Sequence, residues 1–235
     1  MKKIFEYAIK IQLPKLIVLG IFMGAISFII LYYNVNDPKI SVLYGGLATG
    51  FIIAGIQLLF SWGEFNEMER IKKLGIKRIL PYRDDERLYR DIINKSNNEI
   101  LVLGNTASRF FIDFADETRP DKKALIDALG RQVKVRILLP DPKWLSIDDK
   151  PRAETSISKI KELGKKYKRF FECRYFDHAP FHNLVLADNN CLVGPIFPNI
   201  PSKNSPAIYT DDNSIYVRPY LKYFECEWKD AKPCV

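Results

Sequence analysis

The stretch LIVLGIFMGAISFIILYY, residues 16–33, holds 18 consecutive residues without a charge. A helix of that length rises by about 1.5 Å per residue and nearly matches the roughly 30 Å hydrocarbon layer of a bilayer. A second uncharged run of 24 residues, ISVLYGGLATGFIIAGIQLLFSWG, occupies residues 40–63. Only the turn-forming segment 34–39 separates the two runs. The sequence therefore predicts two transmembrane helices joined as a hairpin, with both ends on one side of the membrane.

The distribution of lysines and arginines predicts on which side of the membrane the two ends lie. Four lysines precede the first run, five lysines or arginines follow the second within residues 70–78, and the turn holds only Lys39. The positive-inside rule then predicts an inner-membrane protein whose termini are both cytoplasmic, with the lipid bilayer as a partner. A cleaved signal peptide is one alternative, although the first run exceeds the ~7–15 apolar residues of such a segment. Two buried helices of a soluble core are the other, but only 172 residues remain to surround them.

Small residues recur at four-residue spacing in both runs. Gly20 and Gly24 form such a pair in the first run, and Gly46, Gly50 and Ala54 form a stripe in the second. Stripes of this kind let helix backbones approach closely in lipid. They predict helix packing, either within the hairpin or between chains of a homo-oligomer, although glycine is also simply frequent in membrane helices.

The remainder of the chain has the composition of a globular domain. The whole chain has 235 residues, 36 Lys+Arg, 28 Asp+Glu and 47% hydrophobic residues, a composition that excludes disorder as the main state. Residues 64–235 carry 31 cations and 26 anions, so they form a mildly basic module and not a histone-like tail. Four widely spaced cysteines and two histidines without a Cys-x-x-Cys pair argue against a disulfide framework and a structural zinc site. We expect no metal and no cofactor.

Short apolar runs alternate with amphipathic ones after the hairpin. This pattern predicts a helical linker over 64–75 and an α/β sandwich over 76–235, with a largely parallel sheet closed by a late hairpin. The predicted strands are 76–80, 99–104, 133–139, 171–176, 182–187, 191–194 and 214–217, and the predicted helices are 84–96, 121–131, 153–168 and 220–229.

A first candidate site follows the second predicted strand, in the segment GNTASR of residues 104–109. Its exposed N–H groups, hydroxyls and guanidinium are suited to an anion, with Asn105, Thr106, Ser108 and Arg109 as ligand-binding residues. The alternative is that Thr106 or Ser108 merely caps a helix that begins near Arg109.

A second candidate is the segment FHNLVLADNNCLVGP, residues 181–195. It resembles the phospholipase D superfamily, whose motif His-x-Lys-x-x-x-x-Asp lies on a strand that turns into a second strand. The resemblance implies His182 and Asp188 as catalytic residues, with His182 and Asn183 near the ligand, although a structural role for His182 is equally open. Lys203, Arg174 or Arg218 could supply a cation at the motif's lysine position from elsewhere in the chain, and we take Lys203 as a ligand-binding residue. Leu184 stands where the motif has lysine, and the acid comes one residue early. The loss of that ammonium handicaps phosphoryl transfer, so the resemblance leaves the domain's catalytic competence open.

Two further histidine and lysine patterns have plain interpretations. His178 lies four residues before His182, but the intervening Pro180 prevents the shared helical face that a metal pair needs, so we expect a hydrogen-bonding role for His178. The basic run over 159–169 suits phosphates or lipid headgroups, and it equally suits a solvated helix face.

Two functions remain open. The layout of two transmembrane helices and a small degenerate domain resembles the toxic effectors of bacterial antiphage systems, including those paired with retrons. This resemblance implies a domain that senses a ligand or partner and triggers membrane disruption and abortive infection, with a nucleic acid, a nucleotide or a defence-system protein as partner. The alternative is a membrane-anchored phosphodiesterase or nuclease that uses His182 as nucleophile in a dimer.

Overall fold

The computed structural model describes residues 2–197 and 200–234, with side chains from residue 16 onward. The chain forms two compact units, Met1–Ile71 and Lys72–Val235. The Lys2, Lys3, Lys10 and Lys15 side chains, which contribute to the predicted orientation, lie outside the described side chains.

The first unit contains two long helices, α1 (Lys2–Asn34) and α2 (Pro38–Lys73). Both are long and apolar enough to cross a membrane, since the most apolar 18-residue windows within Leu16–Asn34 and Pro38–Lys73 have mean hydropathies of 2.4 and 1.8. Only 6% and 11% of their most apolar windows are buried, respectively, which is far less than a soluble core requires. The orientation of the helices stays a prediction.

Contacts between α1 and α2 involve different small residues from those of the predicted stripe. A Cβ placed on Gly24 would lie 3.0 Å from the ring of Phe51, and one placed on Gly55 would lie 3.1 Å from Phe22. Ala48, on the same face of α2 as Phe51 and Gly55, is also buried.

The predicted stripe itself lies on an open face of α2. A Cβ on Gly46 or Gly50 would meet nothing within 4 Å, and Ala54 is exposed. A Cβ on Gly20 of α1 would likewise meet nothing within 4 Å. Within the hairpin, therefore, only Gly24 of the predicted packing residues has the predicted role, because positions 46, 50 and 54 point away from the face formed by 48, 51 and 55. Packing of the stripe against another chain stays a prediction.

The second unit is a mixed α/β domain, as the sequence predicts. Its eight strands are β1 (Ile76–Leu80), β2 (Glu99–Leu103), β3 (Lys134–Pro140), β4 (Phe171–Phe176), β5 (His182–Ala187), β6 (Asn190–Pro195), β7 (Ala207–Asp211) and β8 (Lys232–Pro233). Its helices are α3 (Glu86–Lys95), α4 (Ser108–Phe114), α5 (Ala124–Gly130), α6 (Lys150–Lys166) and α7 (Arg218–Asp230). The strands form one sheet in the order β1-β7-β6-β5-β2-β3-β4-β8.

The expectation of a largely parallel sheet is wrong. Among the described strands only β2–β3 and β3–β4 pair in parallel, and the other five pairs are antiparallel. Helical crossovers precede β3 and β4, whereas the two-residue turn between β5 and β6 can only join antiparallel strands. The predicted strand 214–217 is also wrong, because Ser214 Oγ accepts a hydrogen bond from Val217 N (3.2 Å) and holds a turn there.

Helices cover both faces of the sheet. Helices α3 to α6 pack on one face, where Val185 and Ala187 of β5 join their cluster, and α7 packs on the other against Leu184 and Leu186. Side chains alternate between faces along a strand, so the α7 face also receives His182, while Asn183 points to the opposite face. This alternation determines which residues reach the candidate site.

Candidate ligand-binding site

A cavity of about 750 Å³ lies where β2 ends and β5 begins. Six of the seven residues predicted to bind a ligand line it, and the seventh, His182, does not. The six are Asn105, Thr106, Ser108, Arg109, Asn183 and Lys203. The two candidate segments of the sequence thus meet at the carboxyl edge of the parallel strands.

The loop after β2 is held by its own hydrogen bonds. Asn105 Nδ2 donates to Asp149 Oδ2 (2.7 Å), and Thr106 Oγ1 accepts a hydrogen bond from Ser108 N (3.4 Å) at the start of α4. Ala107 has φ +51°, which turns the chain into the helix. The N-cap residue of α4 is Ala107 and no side chain caps the helix, so the expectation that Thr106 or Ser108 caps it is wrong. Thr106 lies on the cavity wall.

Arg109 is engaged in ion pairs. Its guanidinium contacts Asp84, and its Nε donates to Asp113 Oδ2 (3.0 Å). Burial would lower the pKa of Arg109, but the hydrogen bonds to these two carboxylates raise it overall. Arg109 therefore shapes the cavity wall more than it offers a free charge.

Three other side chains present buried donors that have no partner. In the described part of the chain, the buried and unpartnered side-chain atoms are Arg83 Nη1, Arg90 Nε, His182 Nε2, Asn183 Nδ2 and Ser205 Oγ. Of these residues, Arg83, Asn183 and Ser205 line the cavity. Asn183 is 6% exposed and Ser205 is 1% exposed. An unsatisfied buried polar group costs about 1–3 kcal/mol, so this grouping calls for a ligand that supplies acceptor atoms.

Local structure explains why these three residues line the same cavity. Gly194 lies opposite Asn183 in the β5–β6 pairing, and a Cβ on Gly194 would collide with the carbonyl oxygen of Pro206. Glycine thus lets the Ser205–Pro206 segment approach Asn183 closely. The backbone N–H of Arg83 donates to the carbonyl of Lys203 (3.0 Å), which fixes the third donor beside the same loop. Sequence reasoning missed Arg83 and Ser205, because neither belongs to a motif or to a periodic element.

His182 lies on the other side of the sheet. Its ring centroid is 4.9 Å from that of Tyr220 and 5.1 Å from that of Tyr223, both on α7, and the residue is 9% exposed. Burial, aided by the charge of Arg83, lowers the pKa of His182 to about 4. Leu184, the residue at the predicted lysine position, is fully buried on the same face.

Asp188 is at the far end of β5. Six residues at about 3.3 Å each put it roughly 20 Å from the start of the strand, so the structure separates Asp188 from His182. Its carboxylate accepts hydrogen bonds from the backbone N–H groups of Asn97 (2.7 Å), Asn98 (3.0 Å) and Glu99 (2.9 Å). Burial would raise the pKa of Asp188, but these hydrogen bonds lower it.

The family motif can also be placed on β5 in a second register, one residue earlier. Counted back from Asp188, the pattern His-x-Lys-x-x-x-x-Asp puts Phe181 at the histidine position and Asn183 at the lysine position. Both Phe181 and Asn183 line the cavity, as alternation along the strand requires. With this register the chain lacks both reactive groups of the motif.

His178 has the hydrogen-bonding role expected for it. Its Nε2 lies 3.1 Å from the hydroxyl of Tyr223 and 3.3 Å from Glu227 Oε2, again on α7. Neither histidine of the chain lines the cavity.

No protein-family model and no curated protein matches the chain. Solved structures similar to it include TrmBL2, described as an archaeal chromatin protein with a novel mode of DNA binding, at 18% identity and a TM-score of 0.45 over 80% of this chain and 70% of that one. Nuc, a phospholipase D family member from Salmonella typhimurium, has 16% identity and a TM-score of 0.42 over 66% and 97%. Phosphatidylserine synthase from Haemophilus influenzae has 9% identity and a TM-score of 0.42 over 66% of this chain and 38% of its own.

Proposed function

We propose that this protein is a membrane-anchored sensor whose α/β domain binds a phosphate-bearing ligand without cleaving it. One observation carries the proposal: three residues that each hold a buried donor without a partner line the same cavity, whereas the histidine expected to act as nucleophile packs against α7. The histidine expected to act as nucleophile is therefore outside the cavity, and this supports a binding role.

The chemistry of the donors favours an anionic oxygen group. A guanidinium, a carboxamide and a hydroxyl donate through Arg83, Asn183 and Ser205, and hydrogen bonds from a charged donor to a phosphate are stronger than neutral ones. Trp144, Phe181 and Phe197, which are 48%, 70% and 41% exposed, also line the cavity. Exposed aromatic rings beside phosphate donors are suited to a nucleotide, whose base can stack while its phosphate is held.

The proposed output is a change in the membrane hairpin. Helix α2 ends at Lys73 and strand β1 begins at Ile76, so the sensing domain follows the second apolar helix directly along the chain. We infer an inner-membrane effector with cytoplasmic termini that self-associates when the ligand binds and disrupts the bilayer. The resemblance of its layout to antiphage effectors supports a role in antiviral defence through abortive infection.

Binding is tested with the intact chain in detergent micelles and adenosine monophosphate as the probe. We expect saturable binding by calorimetry that is lost in Asn183→Leu. His182→Phe is the matched control, because the neighbouring residue points to the opposite face, and it should bind normally. Equal binding by Asn183→Leu would contradict the site, and hydrolysis of bis(p-nitrophenyl) phosphate that disappears in His182→Ala would favour the phosphodiesterase.

The membrane output is tested in cells. Induction of the intact chain should stop growth and admit a membrane-impermeant dye, and His182→Ala should leave both effects unchanged. Gly46→Leu/Gly50→Leu should reduce dye uptake if the open face of α2 mediates self-association. Recovery of the intact chain in the soluble fraction would refute the membrane assignment.

A further inference from the structure

Two of the widely spaced cysteines are neighbours in the fold. Strand β8 pairs antiparallel with β4, with Arg174 opposite Pro233 and Tyr175 opposite Lys232, and this register puts Cys173 opposite Cys234. Cys234 N donates to the carbonyl oxygen of Cys173 (2.9 Å), and the two Sγ atoms are 2.7 Å apart. The thiols are therefore already in contact.

The backbone geometry of this pair suits a covalent link. Directly opposed residues that share hydrogen bonds in an antiparallel ladder have Cα atoms about 5.5 Å apart. A disulfide spans Cα separations of about 4.4–6.8 Å, so bond formation needs no backbone rearrangement.

A small basic cavity gives access to the pair. It has a volume of about 220 Å³, and both cysteines line it together with Lys161, Lys165 and Lys168 and one carboxylate, Glu172. These lysines belong to the basic run in and after α6, and they present cations beside the sulfur atoms. Such a setting attracts a small anionic reagent.

We propose that Cys173 and Cys234 form a reversible disulfide, with an anionic low-molecular-weight disulfide such as glutathione disulfide as the oxidant. The thiolate of one cysteine attacks the reagent, forms a mixed disulfide and releases one glutathione thiolate. The second cysteine loses its proton and attacks the protein-bound sulfur, which releases the second glutathione. Two protein thiols are oxidised, and one glutathione disulfide is reduced to two thiols.

Exposure decides which cysteine reacts first. Cys173 is 6% exposed, and burial raises its pKa well above the usual value of a thiol, whereas Cys234 is only half-buried. Cys234 is therefore the attacking residue and Cys173 the resolving one. The bond would tie the two-residue strand β8 to β4 and close a long loop, for which we expect a rise in melting temperature of about 10 °C.

The test counts thiols in the intact chain in micelles after treatment with glutathione disulfide, with iodoacetamide added under denaturing conditions. We expect mass spectrometry to find two alkylated cysteines of the four, a peptide that joins Cys173 to Cys234, and four alkylated cysteines after reduction. The exposed Cys226 provides the matched control: Cys226→Ser should still lose two thiols on oxidation, and Cys234→Ser should lose none. Four reactive thiols after oxidation, or a bond that involves Cys226 or Cys191, would overturn the proposal. The proposal does not depend on the ligand in the larger cavity.

Discussion

The two ends of β5 differ in whether the protein itself supplies an acceptor for the hydrogen-bond donors there. At the hairpin end, three backbone N–H groups and the hydroxyl of Ser96 converge on the carboxylate of Asp188, so the chain supplies its own acceptor. At the other end, Arg83, Asn183 and Ser205 line one cavity, and each holds a buried donor atom without a partner among the described residues. A buried donor is expensive without an acceptor, so the first end stabilises the fold and the second is suited to recognise a ligand.

Removal of the acceptor at the hairpin end should have the largest effect. We expect Asp188→Gly to lower the free energy of unfolding by about 2–3 kcal/mol, because several donors lose a charged partner together. Glycine tolerates the φ of +48° at this position, so backbone strain adds nothing to the loss. Urea denaturation of the intact chain in micelles measures it, and a change below about 0.5 kcal/mol would contradict the structural role.

The same carboxylate should make stability depend on pH. Its pKa is lowered in the folded state, so its contribution is present above the pKa of about 3.9 of an unfolded aspartate and is lost as pH falls through the folded value. We expect Asp188→Asn, which also tolerates positive φ, to lose stability near neutral pH and to show a smaller further loss in acid than the parent protein. Identical acid profiles would mean that the carboxylate is not stabilised by folding.

Loss of a donor at the cavity end should affect binding and leave the fold intact. Asn183→Leu removes a buried amide that has no partner for its Nδ2, so we expect unchanged or slightly higher stability. Affinity for a phosphate-bearing ligand should fall by about tenfold or more, equivalent to about 1.4 kcal/mol. Paired urea and calorimetry measurements on the same preparation separate the two effects.

Ser205→Ala should show the same contrast on a smaller scale. The hydroxyl is almost fully buried and lacks a partner, so its removal should raise the free energy of unfolding by up to about 1 kcal/mol. Affinity should fall by roughly fivefold, because one neutral hydrogen bond is lost. Lower stability together with unchanged affinity would show that Ser205 Oγ has a partner in the protein and none in the ligand.

Hydrophobic periodicity predicts most of this architecture. The bounds of β1, β4 and β5 agree with prediction, and so does the mixed α/β class, because the apolar runs there are short and clearly bounded. Strands β7 and β8 are absent from the prediction, which places the late strand at 214–217. No local pattern indicates that β7 pairs antiparallel with both β6 and β1. The prediction of a largely parallel sheet rests on the alternation of strands and helices along the sequence, and this alternation does not determine strand direction.

The site was only partly predictable for a related reason. The segment 104–109 and Asn183 were identified from motifs, and the sheet brings them together at one edge. Arg83 and Ser205 come from irregular loops, where no period links sequence to position. The sequence suggests that His182 and Asn183 act together. Side chains alternate between the two faces of a strand, so His182 lies on the face opposite Asn183.

A change of stability with pH is expected from His182 itself. Its pKa is about 4 in the folded protein against about 6.5 when unfolded, so the unfolded state binds more protons between these values. Stability should therefore fall as pH drops from about 6.5 towards about 4, and it should be insensitive to this histidine at higher pH. His182→Phe keeps an aromatic ring against Tyr220 and Tyr223 and removes the titrating group. We expect the difference in unfolding free energy between pH 7 and pH 5, a range above most carboxyl titrations, to shrink in this variant. Because the residue faces α7, ligand binding should stay at the parental level, and a loss of binding would place His182 in the site after all.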